Sequence, residues 1–184
     1  MFTSIRRTIV AIVTALSIGL GGAVWATSAA SAAPAAIPAC ATANLGVWVD
    51  VSQGSVAAGT VAYPLDFTNT GSRACTLYGY PGVSATNANG GQLGRAADHQ
   101  PIFTAKTVTI PAGGTAHAYL FWLQVLNFTS SRCKLGTASL LKVYPPGQRS
   151  AADTFFSMQV CRSTEPVYQY LWVSTVQPGV GGQL

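Results

Sequence analysis

Leu45-Gly46-Val47-Trp48-Val49-Asp50-Val51, followed by Val61-Ala62-Tyr63-Pro64-Leu65-Asp66-Phe67-Thr68, is the stretch that decides the fold. In the first segment Leu45, Val47, Val49 and Val51 fall on one side of an extended chain, with Trp48 and Asp50 on the other. In the second, Val61, Tyr63, Leu65 and Phe67 stand opposite Ala62, Pro64, Asp66 and Thr68. Alternation with a period of two is the pattern of a half-buried strand. Pro64 has no N–H to give to a ladder, which predicts that its strand lies at a sheet edge or is bulged there.

The same reading extends outward along the chain. Asn69-Thr70-Gly71-Ser72, Tyr80-Pro81-Gly82, Asn87-Ala88-Asn89-Gly90-Gly91, Pro111-Ala112-Gly113-Gly114 and Pro145-Pro146-Gly147 are turn signals, because Gly and Asn tolerate positive φ and Pro sets φ in advance. Between them lie expected strands at residues 75–78, 83–86, 106–110, 115–123, 139–144, 155–160 and 167–175. Residues 118–123 are apolar on both sides, which suits a central strand covered on each face. No segment of the exported part repeats apolar residues at helical spacing without a Gly or Pro interruption. The expected fold class is all-β: an immunoglobulin-like antiparallel β-sandwich of about 7–9 strands with two disulfides.

Four cysteines, Cys40, Cys75, Cys133 and Cys161, stand outside any close C-x-x-C pair. In an oxidising compartment such an even set means disulfides before zinc or a catalytic thiol. Four cysteines allow three pairings, and hairpin geometry chooses among them. A hairpin of residues 45–51 with 61–68, centred near residue 56, brings Cys40 close to Cys75. A second, of residues 139–144 with 155–160, centred near 150, leaves Cys133 and Cys161 at the same end. The expected bonds are therefore Cys40 with Cys75 and Cys133 with Cys161.

The N-terminus supplies the compartment. A basic start with Arg6-Arg7, an uncharged apolar stretch from Thr8 to Trp25 and the small residues Ala30-Ser31-Ala32 make residues 1–32 a cleavable secretory signal peptide. The leader fits ordinary or twin-arginine export, and Cys40, after Ile37-Pro38-Ala39, loosely resembles a lipidation box. Residues 33–39 are expected to be a disordered leader, 40–176 the sandwich domain and 177–184 a flexible tail. Once the signal is removed no membrane span is expected.

Only 8% of the chain is charged. After the leader, eight Lys and Arg face five Asp and Glu, all singly placed, so there is no basic stripe to neutralise a phosphate backbone and nucleic acid is not expected as a partner.

With the strands laid out, the chain resembles the secreted actinobacterial proteins carrying domain of unknown function 4232. The resemblance rests on Cys40; on Pro64-Leu65-Asp66-Phe67-Thr68-Asn69-Thr70-Gly71-Ser72 leading to Cys75-Thr76-Leu77-Tyr78-Gly79-Tyr80-Pro81-Gly82-Val83; on Pro111-Ala112-Gly113-Gly114-Thr115-Ala116; and on Cys133 and Tyr144-Pro145-Pro146. It covers most of the chain from Cys40 to about Cys161. It implies an immunoglobulin-like fold outside the cytoplasm, in soluble or lipid-anchored form, and brings no activity and no catalytic residues with it.

The residues that could carry chemistry are few. A hydrolase reading needs Asp98, His99 and His117 to converge on one cleft, although neighbours on a strand point apart. A glycosidase needs two placed carboxylates, and the five acids are dispersed. The same scarcity disfavours calcium or magnesium, and the Gly-rich segments lack the Lys and helix of a phosphate cradle. No catalytic, cofactor or metal residue is therefore expected. A candidate binding face remains: Tyr168, Tyr170 and Trp172 alternate on the last expected strand, with Trp48 as companion. If open, it is a platform for a glycan or protein; if covered, it is half of the core, the commoner use of large aromatics. The leading expectation is a secreted, monomeric, non-enzymatic module of the cell envelope or extracellular space. The alternative is a secreted inhibitor or effector presenting Arg132-Cys133-Lys134 as a disulfide-held loop.

Overall fold

The computed structural model describes residues 35–184; the expected signal peptide and the first residues of the leader lie outside them. Twelve strands follow in chain order: β1 Leu45–Val49, β2 Ser55–Ala57, β3 Thr60–Asn69, β4 Cys75–Tyr78, β5 Gly82–Thr86, β6 Asp98–His99, β7 Thr107–Ile110, β8 Thr115–Leu123, β9 Leu135–Tyr144, β10 Ala152–Cys161, β11 Leu171–Val173 and β12 Gln177–Pro178. They form a seven-stranded sheet ordered β1-β3-β8-β11-β6, with β2 on β3 and β12 on β8, a three-stranded sheet β10-β9-β5, and the pair β4-β7. Every pairing between these strands is antiparallel except the two-residue parallel contact of β11 with β6. The all-β expectation and both disulfides hold: Cys40–Cys75 and Cys133–Cys161 each span 4.8 Å between Cα atoms.

The strand count exceeds the expected 7–9 because β2, β6 and β12 are two or three residues long, too short to show alternation. No helix was expected, yet Ser130–Cys133 makes one α-helical turn, α1, just before the second disulfide. The last strand was expected over 167–175 and is only β11, because Pro166–Tyr168 winds into a 3-10 turn with Pro at its start. The second hairpin turns at Pro145–Gln148 rather than near 150, with a bulge between Phe155 and Met158 that keeps Phe156, Met158 and Val160 on the buried side.

Pro64 corrects the first expectation more instructively. Its strand, β3, is not an edge: β1 and β2 pair with one side and β8 with the other over nine residues. Pro64 stands opposite Tyr119, whose own N–H and carbonyl both turn away to Ser174. The Pro64 carbonyl accepts from Asp50 N–H at 2.9 Å on the other side, where β1 has just ended. The missing N–H therefore falls where the ladder has no partner to lose.

One core joins the sheets. Leu65, Phe67, Ala118, Leu120, Leu171 and Val173 line the inner side of the large sheet, and Val83, Ala85, Leu141, Val143, Met158 and Val160 come from the three-stranded one. Trp122 on β8 donates its indole N–H to the Gln159 carbonyl on β10 at 3.0 Å, and Tyr63 meets Phe156 edge-on at 5.3 Å.

Asn69 closes one end of this core. Its amide nitrogen donates to the carbonyls of Arg73, Ile110 and Pro111, its Oδ1 accepts from Gly71 N–H, and its backbone bonds Gly113 and Gly114. The Asn-Thr-Gly-Ser turn and the Pro-Ala-Gly-Gly turn are thus one structure pinned by one buried side chain. The expected disordered leader is also anchored at its end: Pro38 O accepts from Thr76 N–H, and Cys40 N–H donates to Thr76 O.

Asn69→Ala takes a donor from the carbonyls of Arg73 and Ile110 and the acceptor from Gly71 N–H, and is expected to lower unfolding free energy by about 2–4 kcal/mol, read as a lower urea midpoint at unchanged slope. Replacing either cysteine pair with serines opens a loop of 35 or 28 residues. Each replacement is expected to cost about 3 kcal/mol, read as a lower melting temperature than that of the oxidised parent.

Candidate functional site

The side of the large sheet that faces away from the core carries an unusual set of residues. Reading across the strands, Trp48 pairs with Asp66, Asp66 with His117, and His117 with Gln177; beside this row lie Pro64 with Tyr119, and Ala62 with Phe121 and Trp172. The tail expected to be flexible lies across this face. Pro178 ends β12, and Gly179 takes a φ of 83°, which a side chain would resist, turning the chain over the sheet. Gly179 O then meets His117 Nδ1 at 2.9 Å, Gly181 N–H donates to Asp66 Oδ1 at 3.0 Å, and Tyr119 Oη donates to Gly182 O at 3.1 Å.

Asp66 is 0% exposed, and its second oxygen, Oδ2, has no hydrogen-bond partner among the described residues. Burial pushes its carboxyl above the usual carboxylate range, since removing the charge from water is costly; the Gly181 N–H and His117 pull in the opposite direction, and Asp50 adds a smaller upward push. Asp50 is itself occupied, accepting from the N–H and hydroxyl of Ser52 to start the 3-10 turn that follows β1.

The sequence-expected binding face does not assemble as one surface. Tyr170 is 0% exposed and donates its hydroxyl to Leu93 O at 2.6 Å, and burial raises its phenol well above the ordinary range. Tyr168 is buried against Phe128, edge to face. Both belong to the core because the 3-10 turn breaks the alternation that aligned them with Trp172. Trp48, 41% exposed, and Trp172, partly exposed, do share the outer face of the large sheet, at its β1 edge and on β11. Asp66, Tyr119 and Gly181 were missed; an aspartate inside an otherwise apolar strand was the available signal.

The hydrolase constellation is dispersed. His99 stacks flat on Tyr80 at 3.9 Å between ring centres, Asp98 pairs with Arg95 at 3.7 Å, and His117 lies on β8 with its Nδ1 at Gly179. Arg132 and Cys133 belong to the α1 turn, and Lys134 follows with a φ of 55°. Among the described residues no helix is long and apolar enough to cross a membrane.

The sequence profile of the family described as domain of unknown function (DUF4232) matches residues 40–177. The chain belongs to that family. No match is found among curated proteins or solved structures. The DUF4232 span opens on the first disulfide cysteine and closes on β12, so both bridges, the Asn69 pin and the Asp66–His117 row lie within it, while the segment that crosses the outer face follows it.

Because the native state holds the Asp66 proton more tightly than the unfolded chain does, it binds more protons between the ordinary carboxylate pKa and the raised one. Stability therefore falls as pH rises through that window. Asp66→Asn keeps the Oδ1 acceptor without the charge, so its urea midpoint is expected to lose this decline and to exceed that of the parent at pH 8.

Proposed function

We propose that the chain is an exported, non-enzymatic binding module of the bacterial cell envelope or extracellular space, built as an immunoglobulin-like sandwich and acting as a monomer. The observation that carries this reading is the pair of disulfides, since such bonds form and persist in oxidising compartments. They agree with the secretion signal expected at residues 1–32. The separation of the titratable groups supports the non-enzymatic half. Acid–base catalysis needs its groups within reach of one substrate; His117 stands on β8 under the crossing segment, whereas His99 stacks on Tyr80 and Asp98 pairs with Arg95 at β6. A protein or glycan is the partner that a sparsely charged, amide- and hydroxyl-rich surface with partly exposed tryptophans suits best.

Expressed in a bacterial host with its own leader, the chain is expected in the medium or wall fraction, cut after Ala32, free of reactive thiols and inert toward ester, glycoside and peptide substrates. Retention in the cytosol with reduced cysteines overturns the reading, as does turnover that disappears in His99→Ala or His117→Ala. Affinity capture against wall fractions and culture supernatant, with Trp172→Ala as the comparison, identifies the partner.

A further inference from the structure

The segment that crosses the large sheet is held almost wholly by its backbone. Its anchoring contacts run from buried side chains, Asp66, His117 and Tyr119, to a carbonyl, an N–H and a carbonyl of Gly179, Gly181 and Gly182. Of its own side chains, Val180 is more than half exposed. The one side-chain requirement is negative. A Cβ at Gly181 would sit 2.3 Å from Pro64 Cβ and 3.2 Å from His117 Cγ, so only glycine passes that point. Beyond it, Val56, Ala62, Phe121 and Leu184 line a shallow groove of about 320 Å³ that continues along the same face. Reading a chain by its backbone, with one position restricted in size, is how protein surfaces recognise extended peptides. The fit is also incomplete, because Asp66 Oδ2 is buried and aimed at nothing that donates.

We infer that this outer face is the ligand site of the module, that it takes an extended peptide with glycine at the position over Pro64, and that residues 179–184 occupy it as an intramolecular competitor. The inference rests on the reading of the chain as a binding module and names its partner chemistry. A tethered segment competes at an effective concentration of about millimolar. A peptide making only the same contacts displaces it poorly, whereas one that also donates to Asp66 Oδ2 has an advantage the resident segment lacks.

The test uses the full chain carrying Gly181→Val, whose side chain lifts the segment off Pro64, and a fluorescent, acetylated and amidated peptide of residues 177–184 as probe. The variant is expected to bind the probe at least tenfold more tightly than the parent. A probe with Val in place of the glycine over Pro64 should bind at least tenfold more weakly, and Asp66→Ala added to the variant should remove binding. If Gly181→Val does not fold by far-ultraviolet circular dichroism, Gly181→Ala takes its place. Equal probe binding by parent and folded variant overturns the inference, and so does hydrogen exchange showing the segment released while the probe stays unbound. If such a variant still captures an envelope component, the binding-module reading stands and only this site falls.

Discussion

Strand β3 has to be buried on both faces and paired on both edges while carrying a proline and an aspartate. Its inner face supplies Leu65 and Phe67, both fully buried, to the core. Its outer face supplies Pro64 and Asp66, and a carboxyl removed from water without partners costs several kcal/mol. Something must cover that face and offer a donor, and the chain does so by turning at Gly179 and placing the Gly181 N–H on Asp66 Oδ1. The register of β3 is correspondingly strict. A slip of one residue would exchange Leu65 and Phe67 for Asp66 and Thr68 on the core side, and the neighbours β1 and β8 would follow.

The ends of this strand are held by different means, suited to a chain with few charges. The one ion pair among the described residues, Arg95 with Asp98, is partly exposed and adds little. At the Asn69 end, a buried amide uses both its donor and its acceptor capacity to lock two turns together, and the Cys40–Cys75 bridge fastens the incoming chain beside them. Cys133–Cys161 does the equivalent for the hairpin of β9 and β10, just beyond the pair Cys161 with Leu135. Hydrogen bonds within buried turns and covalent bridges are insensitive to salt in a way that surface ion pairs are not.

The long strands and the cysteine pairing were legible because both follow from local alternation and hairpin symmetry. β8 was expected at residues 115–123 and occupies them, since its apolar run admits no other reading. What escaped were features set by tertiary neighbours. Strand β12 and the crossing segment hold no alternating pattern, only glycines and a proline that read equally well as a frayed end. Pro64 was expected at an edge or a bulge because a missing N–H is a liability in a ladder; that the liability vanishes because β1 ends at Val49 depends on the length of a different strand. That Tyr168 and Tyr170 would be core was the commoner reading of their spacing and holds; what escaped is that Trp172 parts from them, because Pro166 starts a turn that breaks the shared alternation. For the candidate site, Trp48 and Trp172 could be named from their spacing, but the Asp66–His117 row exists only once β3 and β8 are paired.

Pro64 then acquires a second consequence. An ordinary strand residue opposite Tyr119 would carry a side chain free to change rotamer and so to make room for a crossing chain. The pyrrolidine ring cannot move in that way, and it offers a rigid apolar floor at the point where Gly181 passes. Rigidity there turns a loose covering into a size filter: any chain crossing the sheet in this register must lack a side chain at one position, whatever it carries elsewhere. A surface that selects by backbone hydrogen bonds and a single steric gate needs no charges and little aromatic area to be specific. The elements of that gate, a buried carboxyl, an imidazole, a phenol and a proline, all stand on the two central strands β3 and β8.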